Sequence, residues 1–114
     1  MKQDFISHGR SVSDLKAHLV LTTKYRRLVL NGKMLERVHE IFIDLLAKWE
    51  CKCISFDGEE DHCHLLFQYH PDIQISKLVN NLKSVSSRKI RQEFSEEVNK
   101  VYYKSVFWNS FVEE

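Results

Sequence analysis

The sequence predicts an α+β fold, an antiparallel sheet with two helices packed on one of its faces. Two observations carry this. Strand-like and amphipathic helical stretches follow one another as strand, helix, strand, strand, helix, strand. Within the most informative strand, residues suited to a core alternate with polar ones, so one sheet face is turned to the helices and the other is left free. That order is the split β-α-β arrangement, the ferredoxin-like pattern. A chain of 114 residues is expected to form one domain over 1–114. Residues 1–13, small and polar around Ser7-His8-Gly9-Arg10-Ser11, read as a flexible arm.

The first strand is expected from Ala17 to Thr23, mostly apolar or β-branched. It runs into Lys24-Tyr25-Arg26-Arg27, a basic cluster with an embedded aromatic, which reads either as a solvated strand end or as a phosphate-contacting loop. Asn31-Gly32 breaks the chain, and Asn31 is a plausible helix N-cap. Met34, Leu35, Val38, Ile41, Phe42, Leu45, Leu46 and Trp49 then recur at spacings of three and four. That spacing predicts an amphipathic helix over 33–49 whose apolar face is core.

A second strand is expected from Cys51 to Asp57 and a third from His62 to Tyr69. Asp57-Gly58 is a turn signal, and the short connection makes the two an antiparallel hairpin. Ile75, Leu78, Val79, Leu82, Val85, Ile90 and Phe94 mark a second amphipathic helix over 75–94. Its polar positions include Lys77, Lys83, Arg88, Lys89 and Arg91, with no acid from Ile73 through Gln92. Solubilising helices usually mix signs, so this stretch reads either as a phosphate-backbone surface or as a merely solvated basic helix face. Ser110-Phe111-Val112 is expected to form a short last strand, and Tyr102 and Tyr103 to pack just before it.

Asp61-His62-Cys63-His64-Leu65-Leu66-Phe67 carries the chemistry. Strand alternation puts His62 and His64 on one face, and Cys63, Leu65 and Phe67 on the other. Two imidazoles side by side can grip one divalent metal ion when water, carboxylate or phosphate oxygens complete the shell. A second donor set is Cys51, Cys53, His62 and His64, suited to structural zinc in chemistry. Its one-residue cysteine spacing is against that, since paired zinc cysteines usually stand two to four residues apart.

Composition excludes little. The net charge is +1, so bulk charge names no partner. No apolar run approaches the roughly 20 residues of a membrane span, and the N-terminus has no signal-peptide core. Three cysteines without a secretion signal suggest reduced thiols and a cytoplasmic location.

The motifs together resemble a family. Asp61-His62-Cys63-His64-Leu65-Leu66 is similar to the HUH motif, two histidines around a hydrophobic residue. Lys24-Tyr25-Arg26-Arg27, the stretch Ser76 to Arg88, and Phe107-Trp108 complete a resemblance to the single-tyrosine HUH transposases of small bacterial insertion sequences, the IS-two-hundred type. The resemblance implies a ferredoxin-like fold that forms a homodimer by joining sheets. It implies binding of single-stranded DNA hairpins at transposon ends, and nicking and rejoining through a 5′-phosphotyrosine intermediate. It implies a magnesium or manganese ion held by His62 and His64. DNA contacts are expected from Lys24, Arg26, Arg27, Lys77, Lys83, Arg88, Lys89 and Arg91. The family continues into a final helix bearing the nucleophilic tyrosine. None of Tyr25, Tyr69, Tyr102 and Tyr103 matches that position, so no catalytic residue is assigned and a truncated, cleavage-dead form is expected. A non-catalytic DNA-binding remnant acting through mixed dimers, and a small structural zinc protein, are the alternatives.

Overall fold

In the computed structural model, which describes residues 15–110, the elements are β1 (Lys16–Thr22), α1 (Gly32–Lys48), β2 (Lys52–Gly58), β3 (His62–Gln68), α2 (Ile75–Glu93) and α3 (Ser95–Asn99). The sheet order is β1-β3-β2, and both pairings are antiparallel. The expected α+β class and the hairpin of the second and third strands are present. The expected arm lies outside the described residues, as does most of the expected last strand. Where that strand would begin, Trp108 makes one antiparallel bridge to Thr23, and the Asn109 N–H donates to the Thr22 carbonyl at 2.7 Å.

β3 is central and buries every second residue. Cys63, Leu65 and Phe67 are at most 1% exposed, while His62, His64, Leu66 and Gln68 are half-buried on the opposite face. Leu19 and Leu21 of β1 join the inward set, together with Met34, Val38, Phe42 and Leu46 of α1 and Leu78, Leu82 and Ile90 of α2. Both helices therefore cover one face. α1 starts where Asn31 caps it, its side-chain oxygen accepting from the Met34 N–H at 2.9 Å. β2 departs from strict alternation. A register shift between Cys53 and Ser55 leaves Ile54 as the extra residue, so Cys53 and Phe56 both turn inward although three apart.

α3 was not foreseen. Its first turn carries Glu96 and Glu97, charges that suit a helix N-terminus, and Val98 anchors it in the core. Of the paired tyrosines, Tyr102 packs as expected but Tyr103 is fully exposed, which corrects the reading of it as a packing residue.

At the end of β2, Gly58 allows the hairpin to lie against α1. A Cβ there would stand 2.7 Å from Leu35 Cδ2 and 2.9 Å from the His62 carbonyl oxygen, closer than side chains tolerate.

Candidate functional site: a histidine pair beside a cationic loop

The open face of the sheet brings together residues from three strands. His64 stands opposite Val20 of β1 and Asp57 of β2, and His62 stands opposite Thr22. The two imidazole rings are 4.9 Å apart, edge to face. Each has its Nδ1 occupied. His62 Nδ1 is 2.8 Å from Asp61 Oδ1; an ionised carboxylate only accepts, so Nδ1 carries the proton, and in the neutral imidazole Nε2 keeps its lone pair. His64 Nδ1 is 3.3 Å from His18 Nε2, with the rings 5.2 Å apart and nearly parallel. When His64 donates, its Nε2 is left free as well. The Asp61–His62 contact is similar to the carboxylate–histidine pairs that orient imidazoles at metal sites in general. Sequence reasoning missed His18. It shares the strand parity of Val20, but only the register, which pairs His18 with Leu66, puts it beside His64.

Asp61 links this pair to the loop after β1. Its carboxyl is held below the usual carboxylate range, first by the hydrogen bond with His62 and then by Arg26, whose Nε and Nη2 donate to Oδ2 at 3.3 and 3.2 Å. The hairpin connection 59–61 also carries the loop on its backbone. The Thr23 N–H donates to the Asp61 carbonyl and the Leu30 N–H to the Glu60 carbonyl, each at 2.9 Å. From the other side, Tyr102 Oη donates to the Lys24 carbonyl at 2.6 Å, and the Lys24 N–H donates to the Phe107 carbonyl at 2.8 Å. Tyr25 and Arg26 have φ of 58° and 51°, the left-handed region that non-glycine residues occupy at a cost.

The expected DNA-contacting cations fall into separate groups. Arg26 and Arg27 are exposed at the end of β1 and Lys24 is half-buried there. Lys83 comes toward this group from α2, but its Nζ donates to the Asn109 carbonyl at 2.9 Å, and burial, then Lys24, lowers its pKa. Arg88 and Lys89 instead line a groove between α1 and α2 that also holds Glu40 and Asp44. That surface is mixed in sign, unlike the uniformly basic face expected of α2 alone. Arg91 Nε donates to Ser87 Oγ at 3.2 Å, and Lys77 is exposed in the first turn of α2.

The zinc alternative is not assembled. Cys53 is paired with Phe67 and turns toward the helices, away from His62 and His64. Burial pushes the Cys51 thiol up to about 12 and raises that of Cys53, against thiolate formation. Among the described residues, no group of three or more His, Cys, Asp or Glu side chains is arranged to hold a metal ion. The two-histidine set does fit a metal by the chemistry of its donors: two imidazoles on one face, with Nδ1 positions engaged and oxygen ligands left to come from water or phosphate.

Fold and site together define an α+β domain with an open sheet face that carries paired imidazoles next to a cationic loop. The chain belongs to the IS200-like transposase family (Y1_Tnp), whose pattern matches residues 11–111. It is 33% identical over 79 residues to the ISDra2 transposase TnpA of Deinococcus radiodurans, covering 69% of this chain and 56% of that protein. It is 28% identical over 93 residues to the transposase for insertion sequence element IS200 of Salmonella typhimurium, covering 82% of this chain and 60% of that protein. The chain thus spans less than two thirds of the length of these curated relatives. Among solved structures, a transposase from Deinococcus radiodurans R1 superposes with a TM-score of 0.83 at 26% identity, covering 99% of this chain and 83% of that one. A REP-associated tyrosine transposase bound to a REP hairpin shares the fold, with a TM-score of 0.64 at 10% identity, covering 99% of this chain and 60% of that one. Among the described residues, no helix is long and apolar enough to cross a membrane.

Proposed function

We propose that this chain is the DNA-handling part of an insertion-sequence transposase. It binds single-stranded DNA hairpins at the element's ends and holds a magnesium or manganese ion with His62 and His64. The observation that carries this reading is the pair itself: two imidazoles on an open sheet face, each with Nδ1 engaged, beside a loop carrying Lys24, Arg26 and Arg27. Family membership supports it, as does the hairpin bound by a protein of the same fold. Bound there, a divalent ion supplies Lewis acidity toward a phosphate oxygen. The chain's own residues do the rest. Asp61 fixes His62, His18 fixes His64, and the β1 loop offers cations to the flanking phosphates. Lys77, exposed in the first turn of α2, can add to these contacts; Lys83, Arg88, Lys89 and Arg91 are weaker contributors, being partly engaged or set among acids, and Arg26 shares its guanidinium with Asp61.

In the complete reaction a tyrosine oxygen bonds to phosphorus as the P–O3′ bond breaks, giving a 5′-phosphotyrosine and a 3′-hydroxyl. Tyr102 is not assigned that role, since it is buried, its hydroxyl is given to Lys24, and burial raises its pKa. The homodimer is part of the proposal, and sedimentation at micromolar concentration tests it. The second reading, a DNA-binding protein that occupies transposon ends without cutting, is favoured by the engagement of Tyr102.

One experiment separates these readings. The protein is mixed with manganese and labelled single-stranded DNA from both flanks of its own gene, then run on native and denaturing gels. A native shift without a denaturation-resistant adduct supports the binding-only reading, and an adduct supports cleavage. The absence of both removes the proposal. Calorimetric titration with manganese should give binding to the wild type and none to H62A/H64A.

A further inference from the structure

The loop after β1 and the segment following α3 enclose a cleft of about 280 Å3, of which the proposed function uses only Arg27. Its walls include Tyr25 and Tyr103, which are 73% and 105% exposed. Val101 and Val106 give it an apolar floor, and Arg27 and Lys104 stand at its rim. No carboxylate lines it. Lys24 Nζ lies over the Tyr25 ring, 5.4 Å from its centre.

Two features set this apart from incidental surface. Large aromatic side chains are normally packed, and each of these leaves most of its ring in water. The backbone that presents Tyr25 is also costly. Tyr25 and Arg26 are both left-handed without being glycine, and the turn is held from below by Tyr102 Oη on the Lys24 carbonyl and by the Arg26 N–H on the Thr23 carbonyl at 2.8 Å. Strained backbone persists where its surroundings over-determine it, and such residues cluster at ligand clamps.

We infer that this cleft holds one unpaired nucleobase of single-stranded DNA, stacked on Tyr25 and Tyr103, with the adjoining phosphates on Arg27 and Lys104. Aromatic faces interleaved with cations, without acids, suit a ligand that is flat and apolar in one part and anionic in the next. A base within a duplex has its faces covered by its neighbours. An unpaired base can offer both of its faces to tyrosines, and such stacking tolerates any base. The inference rests on the reading of the chain as a single-stranded DNA binder, and it identifies the part of the strand that this surface takes.

The test compares fluorescein-labelled oligothymidylate with an abasic oligomer of equal length by anisotropy across a salt series. The wild type should prefer oligothymidylate. Y25A/Y103A should lose about tenfold or more of that affinity, bind the abasic oligomer as the wild type does, and keep the salt slope. Y25F/Y103F, which keeps the rings and removes the hydroxyls, should restore the preference. Circular dichroism checks the fold of each variant. Equal wild-type affinity for the two oligomers overturns the inference, as does an alanine variant that retains the preference or a phenylalanine variant that fails to restore it. The hairpin gel shift reads separately. A hairpin shift with a preference indifferent to the tyrosines sinks the cleft alone, whereas a tyrosine-dependent preference without a hairpin shift sinks the hairpin reading alone.

Discussion

The two faces of β3 are built from the same seven residues and held by different forces. On the inner face, Cys63, Leu65 and Phe67 are fixed by packing among side chains of β1, α1 and α2. On the outer face, His62 and His64 are fixed by single hydrogen bonds to Asp61 and His18. Packing is collective, so a change there is felt across the domain. A hydrogen bond at a half-exposed site is local. Substitutions on one face should therefore be read as losses of stability, and on the other as losses of binding.

The largest expected effect is on the inner face. Phe67→Ala should cost about 3–5 kcal/mol in urea unfolding, from lost transfer energy and the cavity left behind. A cost below about 1 kcal/mol would mean that this face is not the core. Next comes a polar exception within the core. Ser86, fully buried, donates to the Leu82 carbonyl at 2.6 Å and accepts from Trp108 Nε1–H at 2.9 Å. Ser86→Ala leaves that indole N–H unsatisfied and should cost about 1–3 kcal/mol; equal stability would show that water takes over the bond.

On the outer face, H62A/H64A should change stability by no more than about 0.5 kcal/mol, as for other surface substitutions, while abolishing manganese binding. A large destabilisation would erase the contrast between the faces. The cations sharpen it further. R26Q/R27Q should flatten the salt dependence of DNA affinity, whereas R88Q/K89Q, set beside Glu40 and Asp44, should flatten it less. The reverse order would place the DNA on the helix groove.

The smallest effect belongs to Arg37 and Glu93, which join α1 to α2 at 2.7 Å on the surface. The hydrogen bond to Arg37 holds the Glu93 carboxyl below its ordinary range. A depressed carboxylate contributes stability above its unfolded pKa and loses it as pH falls through the folded value. Glu93→Gln should therefore cost at most about 0.5 kcal/mol near neutrality, and the difference should vanish in acid.

Much of this was legible in residue order. The helices expected over 33–49 and 75–94 are Gly32–Lys48 and Ile75–Glu93, and the His62 strand begins where alternation put it. Those elements announce themselves because their signals are local and periodic. His18 was not legible, because its place beside His64 depends on strand register between residues 46 positions apart. The split among the α2 cations was hidden for a similar reason. A helix reveals its own charges, but the acids facing Arg88 and Lys89 belong to α1. Tyr102 and Tyr103 look alike as neighbours in sequence, yet one is core and the other solvent-facing, and no period distinguishes them.

The loop at the end of β1 is bracketed from behind by residues far along the chain. Tyr102 and Phe107 bond the Lys24 backbone, Trp108 bridges Thr23, and Asn109 bonds Thr22. In sequence the brackets lie far beyond the loop, Tyr102 standing 78 positions after Lys24. The cationic segment therefore takes its observed shape only when segments distant in sequence have come together.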